Sequence, residues 1–330
     1  MIRTLLAILS LLLVFTSCST EEAKPESYGL YYWRTTFDMT EAEKVWVDSV
    51  GVKTLYVRLF DVVDDANDCE LGLRPESTIR NIGAAKDVKR VEIVPVVFIA
   101  PGVITQKDAD KASLIADKIL TRMDDVMQMN GLPLSKEVQI DYDWAQSNMK
   151  VYFEVLRTMA ERLHKEGRTL STTIRLHQLG MEAPPADRGV LMCYNTGRLQ
   201  DVDEENSILS RKSVEPYLRH LSSYSLPLSL ALPQFSWNVV FRNGEFAFLA
   251  PGLPLNDTTA FARIDSTHWR SRTYQSVTIT ASTTTQAGQR VMPGDMIRRE
   301  ESNDELNNDM IRKLGEMKPD VVREIIYYKN

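Results

Sequence analysis

The segment Val138-Gln139-Ile140-Asp141-Tyr142-Asp143-Trp144 places two carboxylates two positions apart at the end of an apolar run. Residues i and i+2 of a strand share a face, so Asp141 and Asp143 point one way while Ile140 and Tyr142 point the other. Their Cα atoms are then roughly 6.5–7 Å apart. Carboxylates held that close repel each other, and acid/base pairs are made from such arrangements. The plainer alternative is that Asp141 pairs with a buried arginine, Arg58 or Arg175, and that Asp143, nearer the strand end, stays open to a ligand. Cleavage of a glycosidic bond needs two carboxyls roughly 5–10 Å apart across that bond. The partners available to Asp143 are Asp61, after a second strand, and Glu245, Asp295 and Glu300 in one long late segment. The stretch from Gly294 to Glu300 also reads as a turn entering a helix or a strand.

Aromatic residues stand where strands end: Trp33, Trp144 and Trp237. Sugar rings stack on such faces through their apolar C–H groups, although a tryptophan at these places also serves as core or rim. Of four histidines, His177 is the one placed at a strand end. The chain has no His-Glu-x-x-His, Cys-x-x-Cys, Gly-x-Ser-x-Gly or Walker loop, so neither a metal nor a cofactor is called for.

The elements that would position these residues follow a rhythm. Strand-like runs fall at 29–33, 54–60, 91–100, 138–143, 170–177, 190–195, 228–237 and 323–328. Helix-like segments lie between most of them. Thr40 and Glu43 form a capping box that opens one, closed by Gly51. Helices are also expected over 108–129, over 149–165 with Tyr152, Leu156, Met159 and Leu163 on one stripe, and over 303–317. Eight such units predict an α/β fold of the (β/α)8 barrel type, which places the ends of the strands around one site. A doubly wound open sheet is the alternative, weakened because no glycine-rich loop follows the first strand. Residues 238–302 are too long for a βα loop and read as a hairpin-bearing insertion after strand 7, containing the β-branched run Val277–Thr285 and a turn-like Pro293-Gly294-Asp295. Cys193, inside a strand, reads as a buried free thiol.

Three of these segments resemble glycoside hydrolase family 18, the chitinases and endo-β-N-acetylglucosaminidases. Ile140-Asp141-Tyr142-Asp143-Trp144 is similar to the strand-4 motif Asp-Gly-x-Asp-x-Asp-x-Glu. Met192-Cys193-Tyr194-Asn195 resembles the strand-6 Met-x-Tyr-Asp/Asn. Leu232-Pro233-Gln234-Phe235-Ser236-Trp237 resembles the strand-7 Pro-x-Tyr-Gly. The whole pattern also resembles an uncharacterised family of Bacteroidetes lipoproteins, known only as a domain of unknown function. The resemblance implies that Asp141 matches the middle Asp, Asp143 the Asp that orients the acetamido group, and Tyr194 the tyrosine that bonds it. It departs where chemistry matters: Ala145 holds the place of the acid Glu, and Val138 and Gln139 replace Asp-Gly.

The expected function is cleavage of a cell-envelope glycan or glycoconjugate, with Asp143 and Asp141 central. Tyr194, Asn195, Trp33, Arg58, Arg175, His177, Gln234 and Trp237 would bind substrate. The rival is a barrel of the same ancestry that grips sugar without cleaving it, for which Ala145 speaks.

Composition sets outer bounds. The chain has 330 residues, 43% of them hydrophobic, with 39 Lys+Arg against 45 Asp+Glu. That balance excludes a disordered chain, a coiled-coil rod and a collagen repeat, and its mild acidity excludes a nucleic-acid coat. Arg3 followed by the apolar run from Leu5 to Phe15 reads as a signal peptide over 1–17. Ser17-Cys18 resembles the lipobox of bacterial lipoproteins, in which the cysteine is lipidated. Residues 18–27 form a polar tether and 28–330 the barrel domain. No Asp follows Cys18, and the acidic residues behind it resemble the export signal of Bacteroidetes lipoproteins. The expectation is an outer-membrane lipoprotein, periplasmic or surface-facing, that touches the membrane only through the Cys18 lipid.

Overall fold

The computed structural model describes residues 25–68, 70–250, 252–280 and 285–329, so the signal segment, Cys18, most of the tether and Cys69 lie outside the described residues. From β1 (Ser27–Tyr32) the chain passes through α1 (Glu41–Val50) to β2 (Val52–Asp64) and a short β3 (Leu73–Glu76). It continues through β4 (Glu92–Ile99), α2 (Ala112–Met129), β5 (Glu137–Tyr142), α3 (Met149–Lys165) and β6 (Thr169–Arg175). Then come β7 (Arg188–Met192), α4 (Arg211–Leu218) and β8 (Leu228–Pro233). Parallel pairing runs β1-β2-β4-β5-β6-β7-β8 and on to a last strand, which pairs back onto β1, so the sheet closes. All eight expected strands are barrel strands.

Local signals explain most of the helices. Thr40 Oγ1 accepts from the Glu43 amide (3.3 Å), and the Glu43 carboxylate accepts from the Thr40 amide (2.7 Å). Gly51 ends the helix at φ +74°, a conformation that favours glycine. In α3, Tyr152, Leu156, Met159 and Leu163 are all fully buried, as their spacing predicted. The α2 start differs from expectation. Asp108 closes a capping box on Thr105 around a 3-10 turn, and the α-helix begins only at Ala112. Two crossovers contain no α-helix: β2 reaches β4 through β3 and a 3-10 turn over Ile82–Asp87, and β6 reaches β7 through a 3-10 turn over Leu176–Gly180.

The insertion is larger than a hairpin. After β8 come β9 (Ser236–Arg242), β10 (Glu245–Leu249), β11 (Phe261–Arg263) and β12 (His268–Ser271). The hairpin of β13 (Gln275–Thr280) and β14 (Thr285–Val291) follows, then β15 (Met296–Glu301). The order β10-β9-β15-β12-β11 makes a five-stranded antiparallel sheet with its own apolar centre, including Val240, Phe248, Phe261 and Ile297. The turn at Gly294 opens a strand rather than a helix. The chain then enters α5 (Asp304–Met317), capped by the Asn303 side chain on the Leu306 amide (2.9 Å), and closes the barrel with β16 (Glu324–Tyr328).

The barrel interior is packed rather than open. Tyr31, Tyr56, Val94, Val96, Val190, Met192, Ala231 and Ile326 fill its middle. Gly29 is required there, because a Cβ would lie 2.9 Å from the Tyr56 ring. The end near the strand N-termini is sealed by a polar cluster. Arg188 donates to Glu137 (2.7 Å), Glu324 (2.9 Å) and Ser229 (2.6 Å). Ser171 donates to Glu137 (2.6 Å) and Tyr56 to Glu324 (3.0 Å). With this end closed, the room for a ligand lies at the other end of the strands.

Candidate active site

A cleft of about 430 Å³ opens at the C-terminal ends of the strands. Its floor and walls come from Trp33 just after β1, Phe98 of β4, Asp141 of β5 with Asp143 just beyond it, Arg175 of β6 with Leu176 and His177 in the 3-10 turn that follows, Met192 of β7 with Tyr194, Asn195 and Thr196 in the loop after it, Tyr217 of α4 and Tyr328 of β16. Strand alternation places Asp141 and Asp143 on the inward face, as the sequence required, while Ile140 and Tyr142 are fully buried on the outer one.

The two carboxylates have different surroundings. Asp141 is 4% exposed and accepts from Thr173 Oγ1 (2.6 Å) and Arg175 Nη2 (3.0 Å). Of the two arginines considered as its partner, Arg175 is the one that takes the place. Burial works against the charge of Arg175, but Asp141, Tyr194 and Asp143 together outweigh that cost and raise the guanidinium above its ordinary range. Its Nη1 is buried with no hydrogen-bond partner. Asp143 is half-exposed at the strand end, 3.5 Å from the Gln178 amide and 3.8 Å from His177 Nε2. Gln178 is itself held by the Trp144 carbonyl (2.8 Å).

Aromatic faces make up much of the rest. Tyr194 stacks on Tyr328 with centroids 5.1 Å apart and planes 17° from parallel. Burial pushes the Tyr194 phenol well above its ordinary pKa, and Tyr31 adds to the effect, so its O–H stays protonated as a donor. Burial, reinforced by Asp141, pushes Tyr328 up to about 12. Trp33 stands edge-on to Tyr31 at 5.9 Å and to Tyr328 at 6.4 Å. Asn195 has φ +52°, in the left-handed region that asparagine tolerates better than most residues.

The remaining residues singled out in the sequence do not line the cleft. Arg58 is 1% exposed and lies behind Trp33, its Cζ 5.9 Å from that ring. It is ion-paired to buried Asp61, with Nε to Oδ1 at 2.6 Å. The Gln234 backbone N–H donates to the Tyr328 carbonyl (2.7 Å). Trp237 donates to Glu300 (2.7 Å). Glu300 is buried against Arg298 (2.6 Å). Asp295 is buried against Arg242 (3.0 and 2.8 Å) and caps the Met292 amide. Glu245 is exposed at the start of β10. Trp144 is fully buried against Phe153. Cys193 is a buried free thiol pushed up to about 12 by burial.

Six cleft residues were given no role by the sequence reading: Phe98, Leu176, Met192, Thr196, Tyr217 and Tyr328. Phe98 and Tyr328 sit at strand ends on the inward face, a position that alternation alone could have flagged. Tyr217 lies on α4, whose eight residues include Pro216 and gave no helical signal.

No protein-family model matches the chain, and no curated protein matches it. Solved structures do. The spore cortex-lytic enzyme SleL of Bacillus cereus superposes with a TM-score of 0.58 at 16% identity, covering 93% of this chain and 71% of that one. A chitinase from Chromobacterium violaceum gives 0.54 at 12% identity, covering 91% and 93%. The C-terminal domain of a putative chitinase from Desulfitobacterium hafniense gives 0.58 at 8% identity, covering 92% and 93%. At such identities the likeness is one of fold, and the chain folds as a chitinase-like (β/α)8 barrel resembling those of glycoside hydrolase family 18.

Proposed function

We propose that this chain binds a glycan in the cleft at the C-terminal ends of its strands and holds it without cleaving it. One observation carries the reading. Among the described residues lining the cleft the carboxylates are Asp141 and Asp143, and Asp141 is committed to Thr173 and Arg175. Asp143 thus has no free carboxyl opposite it, and hydrolysis by two carboxyls requires one. Asp61, Asp295 and Glu300 are spent in buried ion pairs, and Glu245 lies elsewhere. Ala145, at the place where the resemblance would put an acid, is exposed and carries no proton.

The same cleft suits a sugar. Trp33 and Tyr217 offer apolar faces for ring C–H groups, while Asp143, Asn195 and His177 offer hydrogen bonds to hydroxyls. The solved structures of like fold include a cortex-lytic enzyme and chitinases by name, which supports a glycan as the ligand. Hydrolysis is the second reading, and the approach of His177 to Asp143 at 3.8 Å favours it, since a protonated imidazole could supply the missing proton.

The test is a screen of polysaccharides and glycopeptides that reads both bound ligand and new reducing ends. Saturable binding without product supports the binder. Product that disappears in His177→Ala and in Asp143→Asn replaces it with the hydrolase. We also infer an envelope location through acylation of Cys18; labelled palmitate should enter the wild-type chain in a bacterial host and not Cys18→Ala.

A further inference from the structure

Among the described residues the long insertion contributes none of the cleft-lining side chains, yet its most buried charges point at the cleft's outer wall. We propose that the insertion positions that wall, the segment 195–217, through the Arg298–Glu300 pair on β15. The inference rests on the glycan-binding reading for its functional consequence, but not for its structural part.

Arg298 and Glu300 are i and i+2 on one strand, share a face, and both have fully buried side chains. Burying two charges is costly and contributes little stability by itself, so the bonds such a pair makes are informative. Arg298 Nε donates to Glu300 Oε1 (2.6 Å), and its two terminal nitrogens donate to the carbonyls of Asp201 and Leu199. Glu300 Oε2 accepts from the Ser207 hydroxyl and from Trp237 Nε1 across the sheet (2.7 Å). Asn206 adds a bond to the Glu301 carbonyl (2.9 Å). Every loop group in this set belongs to 199–207, and none belongs to a barrel strand.

The loop is built to transmit that hold. Gly197 approaches so closely that a Cβ would lie 2.8 Å from the Ser207 Cα, and its amide bonds the Ser207 carbonyl (3.1 Å). Thr196 bonds Ser213 on α4 (2.6 Å), the helix that presents Tyr217. Asn195, Thr196 and Tyr217 therefore sit on a wall anchored to the insertion at one end and to β7 at the other. Buried Glu300 and half-buried Trp237, candidates for acid and sugar-stacking roles in the sequence, act here as positioning residues.

Hydrogen exchange on the ligand-free full chain tests this directly. Two variants are compared with wild type: Ser207→Ala, which removes one loop bond, and the double change Arg298→Met with Glu300→Leu, which removes the charges together so that neither is left unpaired. Amides of 196–208 should exchange about tenfold faster in both, the loss expected for one bond to a charged group, while α2 and α3 amides and the denaturation midpoint of Ser207→Ala stay as in wild type. Glycan affinity should fall by a similar factor. Unchanged exchange over 196–208 in both variants overturns the proposal, and so does faster exchange with undiminished affinity. A wild-type chain that binds no glycan defeats the functional reading alone, and the exchange rates still decide the positioning.

Discussion

Asp141 and Asp143 are two residues apart, face the same way and have unlike duties. The difference comes from depth. Asp141 sits one step down the strand, where Thr173 and Arg175 of the neighbouring strand reach it, and Asp143 stands at the rim, where water does. Substitution should separate them. Asp141→Asn leaves the Arg175 guanidinium without its counter-charge in a buried site and should cost on the order of 2–4 kcal/mol of stability, read as a lower denaturant midpoint. Asp143→Asn should leave the midpoint within about 0.5 kcal/mol of wild type and weaken glycan binding instead. A ligand titration on both variants checks the contrast; equal stability loss in the two would remove the distinction. Spacing alone could place both carboxylates on one face. It could not say which arginine, Arg58 or Arg175, would claim Asp141, because Arg175 lies on another strand and approaches only in the closed barrel.

Among the elements, α1 shows how far local rules reach. Thr40, Glu43 and Gly51 were legible as its two ends, because capping bonds form between residues three apart and need no tertiary partner. Thr40→Ala should cost about 1 kcal/mol by thermal unfolding. The cap also carries a pH dependence. Burial raises the Glu43 carboxyl, but the hydrogen bonds from Arg34 and Thr40 outweigh it, and its pKa in the folded chain lies below the ordinary value of 4.5. The stabilisation is therefore full above the unfolded value and is lost as pH falls through the folded one. Wild type should lose more melting temperature than Glu43→Gln on acidification from pH 5 to pH 3; parallel curves would contradict the assignment. The insertion was illegible beyond its hairpin. Its strands pair across long separations, Glu300 with Trp237 for example, and no local spacing encodes such a register. The missing helices at two crossovers have the same origin, since a 3-10 turn suffices wherever neighbouring strands are already held together.

For the molecule as a whole, the barrel closes on a polar seal at one end and opens a cleft at the other. Arg188 joins strands that are far apart in sequence by supplying the cation to which both Glu137 and Glu324 are paired. Arg188→Met should cost about 1–3 kcal/mol in chemical denaturation, the penalty for leaving two half-buried carboxylates without their cation, and an unchanged midpoint would show that water takes its place. Taken alone, the amino-acid order determined the eight strands, their inward and outward faces, the caps of α1 and the place along the chain of an insertion. Those features depend on periodicity and on contacts within a few residues. Only the tertiary structure decided which acids were spent in ion pairs, that Tyr217 joins the cleft, and that the insertion grips a loop rather than arming the site. Charge pairing and cleft lining are set by groups brought together from distant strands, and the closing of the barrel is what brings them within reach.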